Sequence, residues 1–284
     1  MKIAVIGCGN IANNAHIPAY MKNPEAEIVY FCDILPERAE AAVEKYGCGK
    51  AVVDYKEVLA DPQVEAVSVC TPNNVHAQIA IDALRAGKNV LCEKPAARTY
   101  EEALEMQKVQ HETGKVLNIG VVNRFNDSVN RIRDYINEGK LGKDMENYVY
   151  TDMWAGPPKY DGVYDVDDSV AGLVRTTGPV LTINGAWAQN IGESEMFIDF
   201  IGTKAGIRLQ YGKEFTVYTT ENNALVSYTP EFTMRNHFEN EINAFVDCIK
   251  TGKKLPSHID TAIITAQMMQ ALYDSAEQHR EIVL

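Results

Sequence analysis

The sequence predicts an α/β first part, a doubly wound parallel sheet with helices on both faces, and an α+β second part on a mostly antiparallel sheet. Three observations carry this prediction. From residue 2 to about 122 short β-rich runs alternate with helical patterns; after about 123 strand-like runs follow one another; and the turn Gly7-Cys8-Gly9-Asn10-Ile11-Ala12 joins the first strand to the first helix. A chain of 284 residues accommodates two cores of ordinary size. The expected domains are 1–122 and 123–284, with the terminal helices able to pack back on the first.

In order, KIAVIG, EIVYFC (27–32), AVSVC (66–70), NVLC (89–92) and VLNIGV (116–121) have strand length and the composition of strands buried on both faces. Between them, 36–46, 73–87 and 99–114 read as helices, the last two ending in Gly as helix C-termini often do. A parallel sheet is implied, because parallel strands need crossover helices. The second part opens with a helix at 127–138 and continues with strands at 145–154, 170–177, 180–187, 196–202, 206–212 and 215–220. Helices at 236–251 and 258–279 close the chain, and no repeat or low-complexity segment interrupts it.

Composition narrows the function. The net charge is −12 and no basic cluster exceeds Lys253-Lys254, which argues against nucleic acid and anionic membranes and for a small-molecule partner. The N-terminal apolar run is too short for a signal peptide, and no run approaches the ~20 residues that span a bilayer, so a cytoplasmic protein is expected. Six cysteines without a C-x-x-C pair read as buried thiols, and no metal site is expected.

The glycine turn is a G-x-G-x-x-A motif in strand–helix context, the Rossmann arrangement. Gly7 permits the tight turn, Gly9 lets backbone approach a pyrophosphate, Ala12 allows close helix–strand packing, and Asn10 and Ile11 open the helix toward the phosphates. Asp33 closes the second strand 24 residues beyond Gly9, where a carboxylate accepts from ribose hydroxyls and repels a 2′-phosphate, so the expected cofactor is NAD rather than NADP.

Two further strand ends belong to the same cleft, because ligands sit at the carboxyl ends of parallel strands. Thr71-Pro72-Asn73-Asn74 comes after AVSVC, and Glu93-Lys94-Pro95 after NVLC. Lys94 is the candidate proton carrier, with Glu93 to orient it and Pro95 to fix the turn. His76 reads equally as a helix-start histidine bonded to backbone or as an acid–base group. Asn118, Asn123 and Arg124, in or after the VLNIGV strand, are within reach of the cleft, and Arg124 reads equally as a surface charge.

GCGNIA, TPNNVHAQIAIDALRAGKNVLCEKPAA, VNRF, INGAW and EINAFVDCI with YDSAEQHREIVL together resemble the glucose-fructose oxidoreductase / inositol dehydrogenase (Gfo/Idh/MocA) family over nearly the whole chain. The resemblance implies hydride transfer between a sugar, polyol or sugar-acid carbon and nicotinamide, assisted by Lys94. It also implies a homo-oligomer formed through the second-domain sheet.

One departure stands out. The family's second domain carries a helix whose histidine partners the lysine, and none of His16, His76, His111, His237, His258 and His279 has the matching Asp spacing. EGKLGK (138–143) resembles the lead-in to that region, whereas the residues from Asp144 resemble the region beyond the histidine helix, so several tens of residues are absent near 142–144. Two alternatives to a dehydrogenase therefore stand: a dinucleotide-binding protein without turnover, and an NAD-using glycosidase.

Overall fold

The computed structural model of the chain describes residues 1–142, 144–153, 169–189, 193–210 and 214–284, with 144–153 and 187–189 described as backbone. The predicted strand ends at 154, 211 and 212 lie outside the described residues. Two compact units form: Met1–Phe125 with Arg235–Leu284, and Asn126–Met234.

In the first unit the apolar runs become strands whose side chains are buried on both faces. The order along the chain is β1 (Lys2–Ile6), α1 (Ile17–Lys22), β2 (Glu27–Cys32), α2 (Pro36–Tyr46), β3 (Lys50–Val52), α3 (Tyr55–Ala60), β4 (Ala66–Val69), α4 (His76–Arg85), β5 (Asn89–Glu93), α5 (Tyr100–Thr113) and β6 (Leu117–Gly120). The strands are all parallel and ordered β3-β2-β1-β4-β5-β6. β3 and α3 are additions to the sequence expectation, too short to show a period. The predicted helix at 73–87 begins as a 3-10 turn, Asn73–Val75, before α4.

Asn126 caps the next helix, α6 (Asp127–Asn137), accepting from the backbone of Ser128 at 2.8 Å and Val129 at 3.3 Å. The second unit's strands come next: β7 (Asp144–Met153), β8 (Ser169–Arg175), β9 (Val180–Gln189), β10 (Glu195–Gly202), β11 (Ala205–Gln210), β12 (Phe215–Glu221) and β13 (Ala224–Tyr228). They form one sheet, β13-β12-β11-β10-β7-β9-β8, antiparallel except for the β7–β9 pair. α6 and the loop after it cover one face: Ile132 of the helix and Leu141 of the loop pack with Ile207, Leu209, Phe215 and Val217. By register Leu173, Ile201, Tyr218 and Leu225 share the opposite face, and all four are exposed. Arg208 makes a bidentate pair with Asp199 across that face, 2.7 Å on each side.

The chain ends with α7 (His237–Thr251) and α8 (Ile259–Gln278), both part of the first unit. Ile242, Phe245 and Val246 of α7 join Ile3, Val5, Ile17 and Tyr20 in one core layer. Ile259, Ala262 and Ile263 of α8 join Met106, Val109 and Leu117 in the other. Both faces of the parallel sheet are thus completed by residues more than a hundred positions away. Phe245 is fully buried, so Phe245→Ala is expected to lower stability by about 3–5 kcal/mol in a urea titration. A change near zero would mean that α7 is not part of this core.

Candidate functional site

The strand order reverses at β1, between β2 and β4, and the loops after these strands meet at the carboxyl edge of the sheet. Gly7 stands at φ +92°, and a Cβ there would come within 2.6 Å of the Cys70 carbonyl oxygen, so the turn requires glycine on both counts. A Cβ on Gly9 would meet no atom within 4 Å. The backbone there faces open space, as a pyrophosphate requires, and the residues present fit a dinucleotide. Asn13 holds the turn from inside, donating from Nδ2 to the carbonyls of Cys8 at 2.8 Å and Gly9 at 3.1 Å. Asn10 is exposed and Ile11 partly buried.

Asp33 turns toward this loop. Its Oδ2 accepts from the Cys8 backbone N–H at 2.8 Å and its Oδ1 from that of Leu35 at 3.0 Å. The carboxylate is therefore pinned to the glycine turn. Each oxygen keeps a further lone pair for a ligand hydroxyl. Burial pushes the thiols of Cys8 and Cys32 up to about 12, which leaves them as inert packing groups beside the turn.

The end of β5 is braced from within. Glu93 is buried, and its Oε1 accepts from Nε2 of His16 at 2.8 Å, since a carboxylate only accepts. The other ring nitrogen of His16 lies 3.1 Å from Ser68 Oγ, which lies 2.9 Å from the Tyr20 hydroxyl. His16, Ser68 and Tyr20 are all fully buried. His16 belongs to a π-helical turn, Ala12–His16, that runs straight from the glycine motif into α1. Across from Glu93, Gly120 leaves the room its carboxylate needs: a Cβ there would lie 2.9 Å from Glu93 Oε1.

Glu93 Oε2 accepts from the backbone N–H of Lys94 at 3.1 Å. The expectation that Glu93 orients the lysine is thereby given a specific form: it holds the main chain of Lys94, and the ammonium group is left exposed beyond the strand end. Lys94 is joined to Pro95 by a cis peptide bond.

His76 is buried, with Nδ1 2.8 Å from the Pro95 carbonyl oxygen and Nε2 2.8 Å from that of Thr71. Its ring spans the loops after β4 and β5. Pro72 and Asn73 are exposed on the first of these loops, and Thr71 is partly buried. Asn123 and Arg124 lie partly buried on a 3-10 turn, Val122–Phe125, after β6. The edge of the sheet thus gathers Gly7, Gly9, Asp33, Thr71, Glu93 and Lys94.

His16, Ser68, Tyr20, Gly120 and Glu241 are functional candidates that the sequence reading missed. For Glu241 a signal exists: it lies on the apolar stripe of α7 with Phe245 and Cys248, and it is 1% exposed. Position 143, in the middle of the expected gap, lies outside the described residues. Among the described residues no group of three His, Cys, Asp or Glu side chains is placed to hold a metal, and no helix is long and apolar enough to cross a membrane.

Known proteins show the same construction. E. coli (strain K12) D-glucoside 3-dehydrogenase is 27% identical over 348 aligned positions, covering 100% of this chain and 97% of that protein. With 284 residues here, at least 64 of those positions face no residue of this chain. A solved structure of levoglucosan dehydrogenase with NADH and L-sorbose shares the fold at TM-score 0.88, with 21% identity over 99% of this chain and 97% of that one. So does a 3-ketoreductase from Actinomadura kijaniata with NADP and TDP-benzene, at TM-score 0.83 and 20% identity over 96% and 97%. Two sequence models match, "Oxidoreductase family, NAD-binding Rossmann fold" over residues 1–121 and "Oxidoreductase family, C-terminal alpha/beta domain" over 125–284. The glycine turn, the braced Glu93–Lys94 strand end and these two matches lead to one conclusion: the chain belongs to the Gfo/Idh/MocA oxidoreductase family.

Proposed function

We propose that the chain is an NAD-dependent oxidoreductase of sugars or polyols, with Lys94 as the proton carrier. The observation that carries the reading is the braced end of β5, which presents an exposed lysine at the same sheet edge as the glycine turn. Relatives named for D-glucosides and levoglucosan support a cyclic sugar or a polyol as substrate. Bound nicotinamide supplies the hydride acceptor. As a substrate C–H leaves as hydride, the C–O bond becomes a carbonyl and the hydroxyl proton goes to the lone pair of Lys94 Nζ in its amine form; in reduction the ammonium form returns that proton to the carbonyl oxygen as hydride arrives at its carbon. Glu93 keeps the Lys94 main chain in place, while His76 ties Pro95 to Thr71 on the neighbouring loop.

The preference for NAD rests on Asp33, whose carboxylate at the end of β2 disfavours a 2′-phosphate. The turn, Asp33 and the β5 end support cofactor binding, but none of the six histidines has the spacing of the family's histidine, so slow turnover is the corollary. The exposed Leu173, Ile201, Tyr218 and Leu225 on one face of the second sheet support association with another copy of the chain.

Two measurements check the reading. Because a Cβ on Gly9 meets no atom within 4 Å, Gly9→Val is expected to leave thermal stability near wild type and to abolish binding in an NAD titration. Unchanged affinity would reduce the motif to a turn. Lys94→Ala is expected to lower kcat by about 10²–10⁴ with NAD affinity preserved, the range for losing a positioned acid–base group. Turnover that survives the change would place the proton transfer elsewhere.

A further inference from the structure

We infer that Glu241 is a positioning residue for the Lys94 strand end, standing in the interior as a neutral carboxylic acid so that Glu93 carries the negative charge beneath Lys94. The inference rests on the reading of Lys94 as proton carrier. Glu241 lies on the inner face of α7, 1% exposed, and neither of its carboxyl oxygens has a hydrogen-bond partner. A buried carboxylate in that position would lack the N–H donors that make an interior anion tolerable.

Glu93 has such donors, His16 Nε2 and the Lys94 backbone, so the two carboxyls divide their roles: one is the anion and the other keeps its proton. The groups around Glu241 favour the same division. From α1 it faces Tyr20, from the end of β4 Cys70, and from β5 Glu93 itself. The π-helical turn packed against α7 brings His16, whose Nε2 is committed to Glu93, and the turn Val122–Phe125 brings Arg124, which makes no hydrogen bond to Glu241. On α7 itself Glu239 is paired outward with Lys22. Burial, reinforced by the charge of Glu93, pushes the Glu241 carboxyl up to about 9.

The sign of the linkage is fixed by that shift. Between the ordinary glutamate value of 4.5 and about 9 the folded chain holds one proton more than the unfolded chain, so this group's contribution to stability falls as pH rises through the window. Ionisation at the top of the window places a second negative charge beside Glu93 and loosens the support of Lys94. Glutamine cannot ionise and has nearly the same shape.

The experiment compares the full chain with Glu241→Gln from pH 5 to pH 10, with Glu241→Ala as a cavity control. Three readouts are taken: the infrared band of protonated carboxyl groups at pH 7, Tm against pH, and kcat against pH with saturating NAD. The expected result is a band lost in Glu241→Gln, a Tm advantage of that variant that grows from pH 5 to pH 9, and an alkaline fall in kcat that the variant escapes. An unchanged band or a Tm difference independent of pH overturns the neutral acid, and coincident alkaline limbs overturn the positioning role. Absence of any turnover speaks against the oxidoreductase reading alone, since the band and the Tm series decide the state of Glu241 without it.

Discussion

One buried hydrogen bond, from His16 to Glu93, ties the helix after the glycine turn to the strand end that carries Lys94. Both groups are out of water, so removing one partner would strand the other, at a cost of about 3–5 kcal/mol against a total stability of about 5–15 kcal/mol. The rest of the edge is arranged around this contact. Ser68 and Tyr20 extend it inward, Gly120 clears space for it, and the spare oxygen of Glu93 holds the main chain of Lys94. Asp33 does the equivalent on the other side of β1, where its carboxylate accepts from the glycine turn. Two inward-facing carboxylates thus set the positions of the two loops between which a nicotinamide dinucleotide would lie.

The architecture was largely legible before the structure, for a physical reason. Strands buried on both faces must be apolar at nearly every position, and KIAVIG, AVSVC and NVLC announce themselves by that alone. The glycine turn was legible because sterics allow few alternatives to Gly7 beside the Cys70 carbonyl. β3, α3 and β13 were not, since three to six residues show no period. The brace was hidden for a different reason. His16 lies 52 residues from Ser68 and 77 from Glu93, and no local pattern encodes a contact made only by folding. Glu241 was readable in principle, as a lone charge on the apolar stripe of α7, but a stripe cannot say which buried group such a charge will face.

The second unit explains why the chemistry is harder to read than the cofactor. Its seven strands pair into one sheet, with a register shift in the β7–β9 pair between Thr151 and Met153, and α6 packs on one face. The segment that the family resemblance expects near 142–144 would have brought the lysine's histidine partner, and in the alignment with D-glucoside 3-dehydrogenase at least 64 of the 348 positions face no residue of this chain. The proposed cofactor site and the proposed substrate chemistry are therefore separable: the first draws on the turn, Asp33 and the β5 end of the first unit, whereas the second would need the segment that the family resemblance expects near 142–144.

The most direct measurement is hydride transfer to NAD from a panel of D-glucosides, anhydro-sugars and inositols. It is run on the chain as it stands and on a version with a family-like histidine segment inserted after Gly142. The expected result is NAD binding by both, slow reduction by the first and faster reduction by the second. Fast turnover by the unaltered chain would contradict the central claim, because Lys94 would then have an acid–base partner that the arrangement around β5 does not contain.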